Sequence, residues 1–262
     1  MLTVILPAAG KGTRLNLPYP KEILRLDKNQ ALIDFSFDFF KDYNRNEVEF
    51  VVVINEYKTE IIEYLSKYKD KYNISFTFQN PNELEYTGAI KSASHLFGNY
   101  NVVLLPDTIL KLKQNANLYD TVVKRLNANR FVFFYKKETD PLMLSTKGAL
   151  QVDNNLIKIY EDKPQSNFNQ FNAFWCSFAF QKNAFSDAMS FMEKSTLKQN
   201  FNVKDMLTTP FYNSEGIEVE DYIDLGTWPE IRRLLQEHKD SIWNFIYLLI
   251  FIVDIVLDLE DI

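Results

Sequence analysis

The order of short apolar runs and amphipathic segments constrains the fold more than any other feature of the sequence. Length and branched side chains indicate buried strands at Leu2–Leu6, Glu49–Ile54 and Val102–Leu105. Segments of helical length and periodicity alternate with these strands, and they cover Ala31–Tyr43, Lys58–Tyr68 and Thr87–Phe97. A repeated strand–helix order predicts an α/β protein with a parallel sheet and right-handed crossovers.

The second half of the chain carries mainly strand signals. Further strands are predicted over Arg130–Tyr135, Leu156–Tyr160, Asn172–Phe180 and Glu218–Ile223, with helices over Ala184–Lys194 and from Pro229 onward. Neither an internal repeat nor a low-complexity linker divides the sequence. We therefore expect one domain over residues 1–240.

Composition narrows the class of ligand. Lysine and arginine total 29 against 35 for aspartate and glutamate, and a net charge of −6 argues against a nucleic-acid binder. One cysteine, Cys176, and two histidines argue against a structural zinc site, so a bound metal would be a hard ion held by carboxylates. The apolar stretch Met1–Ala9 has no basic residue before it, which argues against a secretory signal and favours the cytoplasm.

A glycine-bearing loop follows the first predicted strand directly. It reads Leu6-Pro7-Ala8-Ala9-Gly10-Lys11-Gly12-Thr13-Arg14-Leu15, and Pro20-Lys21 comes shortly after it. Two glycines after a strand let the backbone approach a ligand closely and present several N–H groups to one anion. Arg14 and Lys21 add positive charge, and the sequence is neither a Walker loop nor the dinucleotide G-x-G-x-x-G. The loop therefore predicts a phosphate site.

The loop resembles the signature of the sugar-1-phosphate nucleotidyltransferases, which is Gly-x-Gly-Thr-Arg followed by Pro-Lys. The similarity continues through Pro20–Leu24, Ala31–Ser36 and Val51–Asn55, and it points to the glucose-1-phosphate uridylyl- and thymidylyltransferase branch. It spans roughly residues 2–235. The resemblance implies an open, mostly parallel Rossmann-like sheet with helices on both faces. It also implies a nucleotide-binding half at about 1–110 and an acceptor-binding half at about 111–240. The loop between Arg14 and Pro20 is a few residues shorter than the family pattern.

The resemblance also implies roles for single residues on the nucleotide side. Arg14 and Lys21 would be catalytic, with Lys21 neutralising the α-phosphate region and Arg14 the leaving pyrophosphate. Tyr86 stands where the family has a close-approach glycine, so Gly88 is the other candidate for that position. UTP, dTTP and CTP all remain open as the nucleotide. The implied nucleotide contacts are Leu6, Ala8, Ala9, Gly10, Gly12, Thr13, Arg14, Gln79 and Gly88.

Two aspartates each follow a predicted strand, at Asp107 and Asp224. Ligands of open α/β sheets bind beyond the carboxyl ends of the strands, although Asp-x-Gly-Thr is also an ordinary turn sequence. The resemblance implies that this pair binds Mg²⁺. On the acceptor side it implies that Asp162 and Asn172 contact the sugar and that Lys163 binds its phosphate. Asp162 replaces the glutamate of the family and is one methylene shorter.

The implied reaction joins a sugar-1-phosphate to a nucleoside triphosphate and releases pyrophosphate. Its nucleophile is already an anion, so neither a histidine nor a serine catalyst is required. One alternative is a cytidylyltransferase acting on phosphocholine or another phosphorylated alcohol, with Phe174 and Trp175 as a cation site. The alternative of another class is a non-catalytic nucleotide-sugar-binding protein.

The last segment, residues 241–262, is a compositional anomaly that the resemblance does not explain. Between Ile242 and Leu257, Asn244 and Asp254 are the two residues that are not apolar. A helix of this length would measure about 24 Å, which is shorter than the roughly 30 Å hydrocarbon core of a membrane. We expect this tail to make the protein a homo-oligomer. Packing on its own subunit and membrane anchoring are the alternatives.

Overall fold

The structure is a computed structural model in which residues 1–26, 29–83, 85–113 and 116–236 are described. The strands are β1 Leu2–Pro7, β2 Val48–Ile54, β3 Asn73–Phe78, β4 Tyr100–Val103, β5 Thr108–Lys111, β6 Phe131–Lys137, β7 Gly148–Asp153, β8 Leu156–Asp162, β9 Ala173–Gln181, β10 Glu215–Glu218 and β11 Asp221–Asp224. The α-helices are α1 Asp34–Asp38, α2 Glu60–Leu65, α3 Glu85–Ser92, α4 Leu118–Leu126, α5 Pro141–Leu144 and α6 Phe185–Leu197. Residues 228–236 are also helical.

The main sheet of the described residues has nine strands in the order β3-β2-β1-β4-β9-β6-β10-β8-β7. The strands β1 to β4 pair in parallel, as the sequence predicts. Every strand except β8 and β9 runs in the same direction, because each antiparallel pair in the sheet involves one of these two. The predicted open, mostly parallel Rossmann-like sheet is confirmed, with a mixed second half.

Side chains of β1 show why the sheet is covered on both faces. Val4 and Leu6 belong to one buried apolar cluster, whereas Ile5 belongs to another, since successive strand residues point to opposite faces. The first cluster includes Ile61 from α2, and the second includes Ile90 from α3. Helices therefore lie on both faces, as predicted. The division into two functional halves near residue 110 stays a prediction.

The helix predicted over Ala31–Tyr43 is much shorter in the structure. The helix begins only at Asp34, and the residues before it form a turn, in which the Asp34 N–H donates to the Ala31 carbonyl at 3.1 Å and the Asp34 carboxylate accepts the Ala31 N–H at 2.9 Å. After Asp38 the chain continues as turns, with bonds from Phe40 N–H to Phe37 C=O and from Tyr43 N–H to Phe40 C=O. The apolar spacing that predicts a helix here is satisfied by these shorter turns.

The strand predicted over Glu218–Ile223 is divided between two sheets. β10 lies beside β6 in the main sheet, whereas β11 pairs with β5 in a two-stranded antiparallel sheet. The change occurs at Val219 and Glu220, whose N–H groups bond to the carbonyls of Tyr135 and Lys111. The sequence patterns do not predict β5. The two-stranded sheet that it forms with β11 positions residues of the candidate site.

No helix within the described ranges is long and apolar enough to cross a membrane. The tail at residues 241–262 lies outside the described residues. Its predicted role in forming a homo-oligomer therefore stays a prediction.

Candidate active site

The glycine loop leaves β1 at the carboxyl end of the sheet and exposes its backbone. Gly12 has a φ of +65°, a left-handed conformation that favours glycine. A Cβ at Gly10 would meet no atom within 4 Å, so this part of the loop faces open space. The Asn55 side chain donates to the Ala9 carbonyl at 2.7 Å and holds the loop against the end of β2. These features suit a loop that wraps an anion.

A buried ion pair fixes the base of this loop. The Lys58 ammonium donates to both carboxylate oxygens of Glu22 at 2.7 and 2.8 Å, and to the Ala8 carbonyl at 2.8 Å. Both side chains are almost completely buried. Burial raises the pKa of Glu22 and lowers that of Lys58, and the attraction between the two charges opposes both shifts. Lys58 therefore connects Ala8 in the loop to Glu22, the residue that follows Lys21.

Lys21 lies next to Asp107, the first of the two predicted metal ligands. Its ammonium forms an ion pair with Asp107, and the two side chains are 13% and 15% exposed. The Lys21 methylenes lie 3.7 Å from the position of a Cβ on Gly12. The cation predicted from the Pro-Lys motif therefore lies beside the glycine loop and a carboxylate at the same time.

The two-stranded sheet brings Asp107 and Asp224 together. Asp224 is the register partner of Thr108, the residue after Asp107, and the Leu225 N–H donates to the Asp107 carbonyl at 2.9 Å. These aspartates are far apart in sequence, and the predicted strands alone could not show that they meet. Their proximity is a feature of the structure, whereas their role as metal ligands stays a prediction.

Arg14 lies beside the same pair. A Cβ at Gly226 would stand 2.8 Å from the Arg14 Nη2 atom and 2.9 Å from the Asp224 Oδ1 atom, so only glycine leaves room for both. A small apolar cluster holds this arrangement from beneath. It contains the neighbours of both charged residues, Leu15 and Leu225, together with Leu32, Ile231 and Leu234.

The electrostatics of Asp224 favour its ionised form. Burial opposes ionisation, but the Lys147 ammonium at 2.6 Å, the Gly226 N–H at 2.9 Å and the nearby Arg14 guanidinium outweigh it. Together they hold the pKa of Asp224 below its ordinary value. Asp224 is therefore a carboxylate at neutral pH, paired with the Lys147 ammonium.

The acceptor side contains two buried polar atoms without hydrogen-bond partners. They are the Asp162 Oδ2 and the Trp175 Nε1, on side chains that are 3% and 7% exposed. Gly148 pairs with Asp162 in the ladder between β7 and β8, so a side chain at 148 would share its face. The indole occupies that place, with its Nε1 only 1.8 Å from where a Cβ on Gly148 would be. An unpaired acceptor and an unpaired donor therefore lie in one corner.

Aromatic hydroxyls extend this corner. The Tyr86 ring lies 5.5 Å from that of Trp175, and its hydroxyl is 3.1 Å from the Tyr160 hydroxyl. Burial raises the pKa of Asp162 above its ordinary value, although the Lys163 charge opposes the shift. Lys163 itself is exposed, with a φ of +46°, and its N–H donates to the Lys147 carbonyl at 2.8 Å. The backbone thus links the predicted phosphate lysine to Lys147.

The structure does not bring three predicted residues into these clusters. Gln79 directs its amide N–H groups at the carbonyls of Glu83 and Glu85, at 2.7 and 3.2 Å. A Cβ at Gly88 would lie 2.4 Å from the Glu83 backbone, so this glycine allows the preceding loop to pack on α3.

Asn172 is the third of these residues. Its side chain bonds to the backbone N–H and carbonyl of Val152, each at 2.8 Å. Along β7, Val152 lies four residues from Gly148, the partner of Asp162, or about 13 Å at 3.3 Å per residue. The predicted ligand contacts of Gln79, Gly88 and Asn172 stay predictions.

Sequence reasoning missed Lys58 and Lys147 as site residues. Lys58 and Lys147 are single lysines outside any motif, and their partners are distant in sequence. Trp175 is named in the sequence analysis together with Phe174, as a cation site for the phosphocholine alternative, but its position beside Gly148 is not predicted there. A glycine at the first position of a strand, Gly148, is the one local signal that a large side chain could approach closely.

The residues present fit a divalent hard cation that also binds substrate. Within the described ranges, no three His, Cys, Asp or Glu side chains are close enough to form a metal site by themselves. Mg²⁺ is commonly held by one or two carboxylates plus substrate phosphates. Asp107 and Asp224, beside a phosphate-type loop, match that donor set.

Substituting either aspartate tests this assignment. We expect Asp107→Asn and Asp224→Asn each to raise the Mg²⁺ concentration for half-maximal rate at least about tenfold, because one anionic ligand is lost. The thermal unfolding midpoint should change little, since both side chains are partly exposed. Full activity in excess chelator, or unchanged metal dependence in both variants, would exclude the metal site.

The fold and the site together define a Rossmann-like protein with a glycine loop and two basic side chains beside a pair of carboxylates. The chain belongs to the nucleotidyl transferase family, whose model matches residues 2–241. The resemblance noted in the sequence is thereby confirmed.

Solved structures show the same fold at low sequence identity. A UDP-glucose pyrophosphorylase complexed with UDP-glucose has a TM-score of 0.71 at 15% identity, over 92% of this chain and 99% of that one. A UDP-glucose pyrophosphorylase from Acinetobacter baumannii has a TM-score of 0.68 at 17%, over 94% and 99%. A Bacillus anthracis protein in complex with sucrose, described as a glucose-1-phosphate thymidylyltransferase, has a TM-score of 0.68 at 17%, over 92% and 96%. No curated protein sequence matches the chain.

Proposed function

We propose that the protein joins a sugar-1-phosphate to a nucleoside triphosphate, giving a nucleoside diphosphate sugar and pyrophosphate. One observation carries this proposal: the ladder between β5 and β11 sets Asp107 beside Asp224, next to Lys21 and Arg14. The family is consistent with it, and so are the sugar-nucleotide pyrophosphorylases among the solved structures.

Catalysis in this site depends on alignment and neutralisation of charge. The acceptor phosphate is already an anion, so its oxygen attacks the α-phosphorus without a protein base, and pyrophosphate leaves. Lys21 neutralises the α-phosphate, Arg14 the departing pyrophosphate and Lys163 the attacking phosphate. Asp107 and Asp224 would hold Mg²⁺, which would supply further neutralisation of negative charge when bound.

The unpaired atoms in the acceptor corner favour a hydroxylated acceptor. The Trp175 indole N–H needs an acceptor, and the Asp162 Oδ2 needs a donor. A hydroxyl group can meet both needs, because it accepts and donates hydrogen bonds. A trimethylammonium group has neither a lone pair nor an N–H, so it would leave both atoms unpaired. This contrast favours a sugar phosphate over phosphocholine.

Phosphocholine remains the second candidate because of one specific observation. The Tyr86 and Trp175 rings, 5.5 Å apart, stand next to the Asp162 carboxylate, which is a combination that attracts a quaternary amine. Because the Trp175 indole fills the space beside Gly148, this corner would also suit a small acceptor such as phosphocholine.

A turnover assay with Mg²⁺ decides among these functions. UTP, dTTP and CTP are each offered with glucose-1-phosphate, other hexose-1-phosphates and phosphocholine, and pyrophosphate release is measured. The proposal expects the fastest release with a sugar-1-phosphate. Fastest release with phosphocholine would replace it by the second candidate. Binding of nucleotide sugars without any pyrophosphate release would identify a non-catalytic binding protein.

Lys163→Ala tests the acceptor phosphate site. We expect the KM for the phosphorylated acceptor to rise about tenfold and the KM for the triphosphate to stay nearly constant, because this point charge serves one substrate. Steady-state kinetics with each substrate varied in turn give both values. Equal increases in the two KM values would contradict the assignment and indicate a structural role for Lys163.

A further inference from the structure

Both candidate metal carboxylates have a lysine ammonium at the oxygen where a metal would bind. Lys21 pairs with Asp107, and Lys147 lies 2.6 Å from the Asp224 Oδ2 atom. Lys21 belongs to the recognised Pro-Lys motif, whereas nothing in that motif accounts for Lys147. The side chains of Lys147 and Asp224 are 18% and 29% exposed, so water and ions can reach the pair.

The two oxygens of Asp224 differ in how easily they can be vacated. Oδ1 accepts the Gly226 backbone N–H at 2.9 Å, and that bond belongs to the turn after β11. Oδ2 accepts the ammonium of Lys147, which sits at the end of a flexible four-carbon side chain. A cation that binds Asp224 therefore does so at Oδ2, and it must displace Lys147.

The position of Lys147 keeps its ammonium near the phosphates after displacement. Its carbonyl accepts the Lys163 N–H at 2.8 Å, so the two lysine backbones are bonded together. Its ammonium also lies 5.7 Å from the centroid of the Tyr222 ring, which can hold the displaced ammonium through a cation–π contact. A displaced Lys147 thus remains between the acceptor lysine and the carboxylate pair.

From this geometry we propose that Lys147 is an exchangeable counter-ion of Asp224, which a divalent cation displaces and whose ammonium then binds a substrate phosphate oxygen. The phosphate step rests on the proposed function, but the exchange with metal does not. In the free protein, the Lys147 ammonium would neutralise the Asp224 carboxylate. When metal and phosphate are both bound, the same charge would pair with the phosphate instead.

The first test measures metal binding in the full-length protein without substrate. Mn²⁺ titrations followed by electron paramagnetic resonance compare the wild type with Lys147→Met, which keeps the apolar stem but removes the charge. We expect about fivefold tighter Mn²⁺ binding in the variant, because the competing ammonium is gone. The matched control is Lys136→Met, which removes the ion pair with Asp221 at the other end of β11. The control should bind Mn²⁺ as the wild type does.

The second test measures phosphate binding with inorganic pyrophosphate at saturating Mn²⁺. Lys147→Met should bind pyrophosphate about tenfold more weakly, because a charged hydrogen bond is lost. Lys147→Arg should restore most of this binding, since it retains the positive charge.

The outcomes separate this proposal from the proposed function. If Lys147→Met binds Mn²⁺ and pyrophosphate as the wild type does while the wild type releases pyrophosphate from triphosphate, Lys147 has no exchange role and the function stands. If Mn²⁺ binding tightens and pyrophosphate binding weakens but no acceptor supports turnover, the exchange stands and the proposed function fails.

Discussion

Replacing Lys21 with alanine is expected to lower kcat about a hundred- to a thousandfold with little change in the thermal unfolding midpoint. The ammonium lies between the glycine loop and Asp107. In the proposed reaction, negative charge would grow there as pyrophosphate leaves. Its side chain is partly exposed, so its removal opens no buried cavity. Rapid-quench kinetics measure the rate of the chemical step, and calorimetry on the same sample measures the unfolding midpoint.

Lys111→Ala is the matched control for this substitution. Lys111 also forms an ion pair, with Glu220 at 2.7 Å, and it lies at the opposite end of β5 from Asp107. We expect this variant to keep the wild-type rate, because its charge is remote from the loop. A near-normal rate for Lys21→Ala would show that Lys21 is not a catalytic residue, whatever rate the control variant gives.

Lys58→Met is expected to have the largest effect on stability, a loss of about 3–5 kcal/mol in the free energy of unfolding. The substitution leaves the Glu22 carboxylate buried without its counter-ion and leaves the Ala8 carbonyl without that donor. Urea unfolding measures the change. Adding Glu22→Gln to the variant should recover part of the loss, because no isolated charge then remains buried.

The exposed pair of Lys113 and Glu218 provides the comparison. Their side chains are 58% and 27% exposed, and the distance between their charged atoms is 3.1 Å. Lys113→Met should cost at most about 1 kcal/mol, as is usual for ion pairs on the surface. If Lys58→Met were no more costly than Lys113→Met, the buried pair would not be what holds the loop.

The sequence could reveal the parts of the site that depend on local patterns. The glycine loop, Lys21 and Asp107 follow predicted strands or motifs, and parallel strands bring their carboxyl ends to one edge. The core strands were also predictable, since buried parallel strands are nearly continuous apolar runs, such as residues 50–54 of β2.

The remaining parts depend on contacts between distant segments, which periodicity cannot show. β5 is only four residues long, Thr108–Lys111, and the pattern of those four residues is too short to distinguish a strand from a loop. The burial of Lys58 follows from Glu22 lying opposite it, and no feature near Lys58 in sequence indicates this. The position of the Trp175 indole likewise depends on the absent side chain of Gly148.

The antiparallel pairing of β5 with β11 has a consequence for the protein during its synthesis. A ribosome exposes the glycine loop and Asp107 early, but Asp224 leaves the exit tunnel only after nearly all of the main sheet. A nascent chain can therefore build its phosphate loop well before the second carboxylate arrives. Metal-dependent chemistry at this site would begin only when β11 docks on β5, so activity would report that this pairing has formed.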